Sequence, residues 1–120
     1  RMTLAEAIKS LFRWQLGRQG TGYDKMLLAA NPFVVPWDCY LLRFREGTHI
    51  PPHTDPVTDK RHYRLNIILL PAKSGGADPI YNSKRIKLFR PDVSEHGVTR
   101  VEQGTRYVLS IGWVRPLQQT

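Results

Sequence analysis

Two apolar runs restrict what this chain can fold into more than any other feature. Residues 64–70 read Arg-Leu-Asn-Ile-Ile-Leu-Leu and are closed by Pro71; residues 106–114 read Arg-Tyr-Val-Leu-Ser-Ile-Gly-Trp-Val. A continuous leucine and β-branched series of this length, stopped by a proline, predicts a central strand over 64–70. The second run is longer and again apolar. Shorter pieces surround them. Residues 38–45 end in alternation before the turn Glu46-Gly47, and residues 85–90 alternate basic with apolar side chains before Pro91-Asp92. A short run over 98–101 precedes a further turn at Gln103-Gly104. Many short strands with turn chemistry between them predict an all-β barrel or sandwich.

The first third reads differently. Thr3 and Glu6 form a capping box, and Leu4, Ala7, Ile8, Leu11 and Phe12 recur at helical spacing. This predicts an amphipathic helix over residues 4–16, terminated by Gly17. Gly20 and Gly22 mark a loop, and residues 23–30 predict a second, shorter helix stopped by Asn31-Pro32. Helices come first and strands afterwards, which argues against a parallel α/β architecture. The 120 residues are expected to form one domain, with helical support over 1–36 and a β core over 37–116.

Composition narrows the setting. A hydrophobic content of 41% with 23% charged residues describes a globular chain rather than a disordered one. No apolar run approaches the roughly 18 residues that span a bilayer, and the start carries no signal-peptide pattern, so no membrane partner is expected. A single cysteine, Cys39, excludes an internal disulfide framework and fits a reducing, cytoplasmic setting; it is expected as a small core residue. The net charge of +8 favours anionic partners, among them nucleic acid, an acidic carrier or a small carboxylate.

The chemistry concentrates in Pro51-Pro52-His53-Thr54-Asp55-Pro56, in His96, and in Arg106 ten residues beyond it. Side chains alternate along a strand, so His53 and Asp55 share a face. A carboxylate and a neutral imidazole on one face supply two metal ligands, and a histidine from a distant strand supplies a third. Two histidines and one carboxylate on one face of an octahedron leave three positions open, the arrangement of non-haem Fe(II) oxygenases. A cosubstrate that chelates such a metal needs a fixed cation for its far carboxylate. Arginine suits this because it stays charged when buried and grips a carboxylate with two parallel hydrogen bonds. Arg106, heading an apolar strand, is the candidate. Arg64 has two readings: it points at the metal site and holds a second carboxylate oxygen, or it lies outside, paired with a surface acid. Tyr40, on the face of Leu42 and Phe44, either donates its hydroxyl to a ligand or packs as a core tyrosine. His49 and His62 lack a comparable partner set and are expected at the surface. Asp59-Lys60-Arg61-His62 is expected as an exposed loop near the mouth of the site, and Glu95 as facing solvent.

His53-x-Asp55, the segment His96-Gly-Val…Val-Glu-Gln-Gly-Thr-Arg106 and Ser110-Ile-Gly-Trp113 resemble the Fe(II)/2-oxoglutarate-dependent dioxygenase superfamily over roughly residues 38–114. Similarity is nearest to its prolyl 4-hydroxylase-like and aspartyl/asparaginyl β-hydroxylase-like branches. Tyr63-Arg64-Leu65-Asn66 resembles a strand of the second branch whose arginine contacts the cosubstrate. That branch usually lacks the acidic ligand, which is present here as Asp55. The resemblance implies a mainly β, double-stranded β-helix (jelly-roll) core, with one or two N-terminal helices packed on one sheet. It implies iron held by His53, Asp55 and His96 and 2-oxoglutarate anchored by Arg106; Arg64, Tyr40 and Ser110 are the further candidates for cosubstrate contact. The implied reaction uses O2, with ascorbate as an accessory reductant. It hydroxylates an unactivated C–H bond of a peptidyl, amino-acid or small-molecule substrate and releases succinate and CO2.

Other classes remain. A jelly roll with metal-binding residues also describes a cupin-type isomerase or non-oxidative binding module, although cupins tend to carry additional histidines and lack the arginine ten residues on. A degenerate oxygenase fold acting as a binding module is a third class. A nucleic-acid-oxidising, demethylase-like enzyme would use Arg43, Arg45, Arg61, Lys84, Arg85, Lys87 and Arg90. Of the Arg-x-x-x-x-x-Arg signature of that branch, Arg100 and Arg106 match only the spacing. The sequence does not identify a basic groove with stacking aromatics interleaved, which ranks nucleic acid below a small-molecule or peptidyl substrate.

Overall fold

The computed structural model describes residues 3–16, 22–31, 36–55, 57, 60–77 and 85–116. Their elements, in chain order, are α1 (Leu4–Ser10), β1 (Trp14–Leu16), β2 (Asp24–Asn31), β3 (Trp37–Phe44), β4 (Ile50–His53), β5 (Lys60–Leu70), β6 (Ser74–Gly75), β7 (Ile86–Phe89), β8 (His96–Val98), β9 (Val101–Gln103) and β10 (Arg106–Pro116). The two long apolar runs become β5 and β10, and they pair antiparallel at the middle of a six-stranded sheet ordered β1-β2-β3-β10-β5-β7. The neighbours of β10 are distant in sequence, so the chain crosses between layers. Two short ribbons, β4-β8 and β6-β9, form the second layer. This is a mainly β, cupin or jelly-roll-like architecture.

Alternation decides which side chains meet between the layers. Asp38, Tyr40, Leu42 and Phe44 of β3 face inward, as do His62, Arg64, Asn66 and Ile68 of β5. On β10 the inward residues are Arg106, Val108 and Ser110. At one end Phe44, Val101 and Val108 form a buried cluster, packed by Tyr23, Leu42, Ile50, Ile68, Ala72 and Val98. The rest of the space between the layers stays open.

The N-terminal expectations need correction. Thr3 does cap α1: its hydroxyl accepts from the Glu6 amide at 3.2 Å, and the Glu6 carboxylate accepts from the Thr3 amide at 3.1 Å. The helix ends at Ser10, however, rather than continuing to residue 16. Phe12 takes a left-handed φ of 57°, its amide donates to the Leu27 carbonyl, and β1 then pairs with β2. The second predicted helix is a strand. Residues 24–31 form β2, hydrogen-bonded to β1 on one side and β3 on the other, with Leu27 completely buried. Met, Leu and Ala favour helix only weakly, and ladder pairing together with burial of Leu27 overrides that preference. Asp24 secures the strand through Arg43 at 3.0 Å and Arg45 at 3.1 Å. Gly17, Gly20, Pro32, Asp59 and Lys84 lie outside the described residues. The loop expected over 59–62 is also revised, because β5 already begins at Lys60. No described helix is long and apolar enough to cross a membrane.

Candidate metal centre and its cavity

His53 ends β4 and His96 begins β8, and these strands pair antiparallel with the two histidines in register. The ribbon is close because Gly97 has no side chain: a Cβ there would lie 2.6 Å from the Ile50 carbonyl oxygen. Asp55 follows the end of β4, and its amide donates to the Pro91 carbonyl at 2.6 Å. That bond ties the ligand loop to the turn preceding β8. The same turn is fixed by Arg90, whose guanidinium donates to both carboxylate oxygens of Asp92 at 3.2 and 2.6 Å. Burial alone would raise the Asp92 pKa; the hydrogen bonds and charge of Arg90 bring it below the ordinary value.

Ligand atoms of His53, Asp55 and His96 all lie within 4.8 Å of one another. Nε2 of His53 lies 3.5 Å from Asp55 Oδ1, and Nε2 of His96 lies 3.1 Å from Oδ2. The imidazole rings are 4.3 Å apart between centroids. Each Nδ1 faces a backbone carbonyl, Pro51 at 2.8 Å for His53 and Ser94 at 3.1 Å for His96. A carbonyl only accepts, so each Nδ1 carries the hydrogen and each Nε2 is left facing the carboxylate. Lone pairs meeting carboxylate oxygens require a cation between them, either a proton or a metal ion. Burial lowers the His96 pKa, with His53 pushing the same way against the Ser94 carbonyl and Asp55, and so disfavours the proton. The donor set therefore fits a divalent metal, with both rings oriented from behind by carbonyls.

The triad borders a cavity of about 590 Å³ between the two layers. Arg106, 6% exposed, lines it; its Nη1 donates to the Gly76 carbonyl at 2.7 Å, and the guanidinium lies 5.5 Å from the Phe44 ring centroid. Arg64 also faces inward. It crosses β10 over Gly112, where a Cβ would collide with its guanidinium, and reaches Asp38 on β3 at 2.6 Å. Its Nη1 donates to Ser110 at 2.7 Å, and the Ser110 hydroxyl donates to Asn66 Oδ1 at 2.6 Å. Of the two readings of Arg64, the inward direction is the one found: the residue points into the cavity, where it pairs with Asp38. Tyr40 lines the same space, with the Lys25 ammonium 5.1 Å from its ring centroid.

Three cavity residues escape a reading of the sequence. His62, expected at the surface, sits on β5 facing inward, and burial together with the nearby Arg64 lowers its pKa. Its signal was the two-residue spacing from Arg64. Asp38 and Lys87 likewise face inward. Cys39 lies half-buried, alternating with the inward residues of β3, and burial raises its pKa. Glu95 is exposed as expected.

No protein-family model matches the chain, and no curated protein matches it. Solved structures do resemble it. The structure of Rhodobacter sphaeroides SigE in complex with the anti-sigma ChrR matches with a TM-score of 0.54 at 18% identity, covering 83% of this chain and 47% of that one. The viral collagen prolyl hydroxylase vCPH from Paramecium Bursaria Chlorella virus-1, in its 2OG complex, gives 0.51 at 18% identity, covering 72% and 63%. KdgF from Halomonas sp. gives 0.55 at 16% identity, covering 83% and 84%. This chain thus spans less than two thirds of the first two chains. At such identities the likeness defines the class of fold, a cupin or jelly-roll-like β structure. The chemistry must be argued from the site.

Proposed function

We propose that this chain is an Fe(II)- and 2-oxoglutarate-dependent dioxygenase that hydroxylates an unactivated C–H bond of a small-molecule, amino-acid or peptidyl substrate. One observation carries the reading: the His53, Asp55 and His96 ligand atoms, within 4.8 Å of one another, border the cavity that Arg106 also lines. Bound there, Fe(II) supplies a centre at which O2 oxidises 2-oxoglutarate to succinate and CO2 and one oxygen atom enters a C–H bond. The overall balance is R–H plus O2 plus 2-oxoglutarate giving R–OH plus succinate plus CO2.

The chain's own residues hold and shield. The Pro51 and Ser94 carbonyls keep the two imidazoles turned toward the metal position. Arg106 stays charged although buried and grips the far carboxylate of 2-oxoglutarate, with the Phe44 ring beside its guanidinium. The row Asp38–Arg64–Ser110–Asn66 presents fixed polar groups to the rest of the cosubstrate. Ile68, Val98 and Val108 line the cavity and limit water near the reacting atoms.

Aerobic incubation with Fe(II) and 2-oxoglutarate tests the reading. Slow succinate release is expected from the wild type and none from His53→Ala. Tight metal binding with no consumption of 2-oxoglutarate would assign the site to a non-oxidative, cupin-type module instead.

A further inference from the structure

The cavity and its metal position lie against one face of the six-stranded sheet. The other face has the opposite chemistry. Alternation turns every second side chain of the central strands away from the cavity, and the ladder registers align these side chains across the sheet. Leu41 of β3, Leu109 of β10, Ile67 of β5 and Ile86 of β7 form one such row. Cys39, Ile111, Leu65 and Leu88 form the next. None of the eight lines the cavity, and none carries a charge. A sheet face that meets water is ordinarily polar at these alternate positions. Here Ile86 and Leu88 are 63% and 58% exposed, and Leu69, two residues beyond Ile67, is 50% exposed. The six residues of β3, β10 and β5 also keep part of their surface accessible. Among the described residues α1 packs against β2, outside these four strands.

Size and charge indicate what covers this face. Four strands at a spacing of ~4.8 Å and seven residues at a rise of ~3.4 Å make it roughly 450 Å² in plan. Contiguous apolar patches on soluble monomers rarely exceed a few hundred Å². Two such faces in contact, with the relief of their side chains, bury about 1,000 Å², enough for a specific but reversible interface. At one end Tyr63 stacks on Trp113 at 5.8 Å, with the guanidiniums of Arg61 and Arg90 at 6.0 and 5.7 Å from the Tyr63 ring. At the other end lie Leu69 and Tyr107, and Arg43, aligned with Tyr107, is paired with Asp24 at 3.0 Å. A second copy turned end for end sets the two arginine-bearing ends apart and lays apolar row on apolar row. An uncharged face with its cations at one end is thus complementary to itself in that orientation.

We propose that this chain forms a two-fold symmetric dimer through the outward faces of β3, β10, β5 and β7, packed back to back as a sandwich. The axis lies between the two sheets, across the strands, and the sheets sit ~10 Å apart, as aligned sheets do. With the axis between the two rows, each row covers the other row of the second copy. Cys39 is then covered by β3 of that copy and Leu88 by its β7. Each cavity stays on the far side of its own sheet. The dimer supplies no metal ligand, so it stands or falls separately from the oxygenase reading.

Sedimentation equilibrium of the whole chain from ~1 to ~100 µM tests this. The wild-type mass should rise from 13.8 kDa toward twice that value as concentration increases. Leu88→Lys and Ile86→Lys, at positions exposed enough to spare the single chain, place an ammonium in the interface. Each should weaken association at least about tenfold. Val93→Lys, 62% exposed but on the turn before β8, should leave association unchanged. Cys39 supplies a second readout. Its reaction with an aromatic disulfide should slow as wild-type concentration rises and stay constant in Leu88→Lys. A wild type that remains monomeric throughout overturns the proposal, and so does a dimer that survives both β7 variants. Monomers that bind phosphatidylcholine vesicles through Leu88 would assign the face to a lipid surface and equally overturn it. Dissociation by Val93→Lys but not by Leu88→Lys would place the interface elsewhere, with the same consequence.

Discussion

At the scale of single residues, the decisive fact is that the Nε2 atoms of two imidazoles converge on one carboxylate. Removing His53 or His96 should weaken Mn(II) or Zn(II) binding by more than the ~10–100-fold that losing an outer partner costs, as read by calorimetry. Proton dependence follows from the same environment. The His62 and His96 pKa values both lie below the ordinary 6.5, chiefly through burial. The folded chain therefore binds fewer protons at these sites than the unfolded chain does. Their contribution to stability is present above pH 6.5 and is lost as pH falls through the folded values. Urea midpoints of metal-free protein should decline over that acid window. His62→Gln should flatten the decline while leaving metal affinity at pH 7 unchanged; an identical decline in that variant would remove His62 from the account.

At the scale of elements, the strands that carry the site were the most legible part of the sequence. Residues 64–70 and 106–114 advertise themselves by apolar continuity, and His96, Gly97 and Arg106 by spacing. The N-terminal third was not legible, because Lys25, Met26, Leu27, Ala29 and Ala30 suit a helix locally and become a strand only through pairing with β1 and β3. His62 was misjudged for a related reason: a polar side chain without a partner set suggests solvent, whereas the alternation of β5 turns it inward. Leu27→Ala tests the strand assignment. A completely buried leucine between two strands should cost about 2–5 kcal/mol in urea unfolding; a negligible loss would contradict its place in the sheet. Gly97→Ala probes the ribbon. Its Cβ would press on the Ile50 carbonyl, so a loss of about 1–3 kcal/mol is expected together with weaker Mn(II) binding, as β4 and β8 move apart.

At the scale of the whole molecule, the described strands hold a His-Asp-His cluster, a buried arginine and a row of polar groups around one cavity. The net charge of +8 will attract polyanions non-specifically, and such binding should collapse between about 50 and 200 mM salt. Single-stranded DNA retained through that range would favour the nucleic-acid alternative over a small-molecule or peptidyl substrate. The central claim is that His53, Asp55, His96 and Arg106 jointly bind Fe(II) and 2-oxoglutarate. The most direct test is an anaerobic titration of the Fe(II)-loaded protein with 2-oxoglutarate, followed by visible absorption. A weak, saturable charge-transfer band is predicted for the wild type. It should be absent in His53→Ala and His96→Ala and shifted to higher 2-oxoglutarate concentration in Arg106→Ala. Fe(II)-loaded wild-type protein that develops no band at saturating 2-oxoglutarate would contradict the claim.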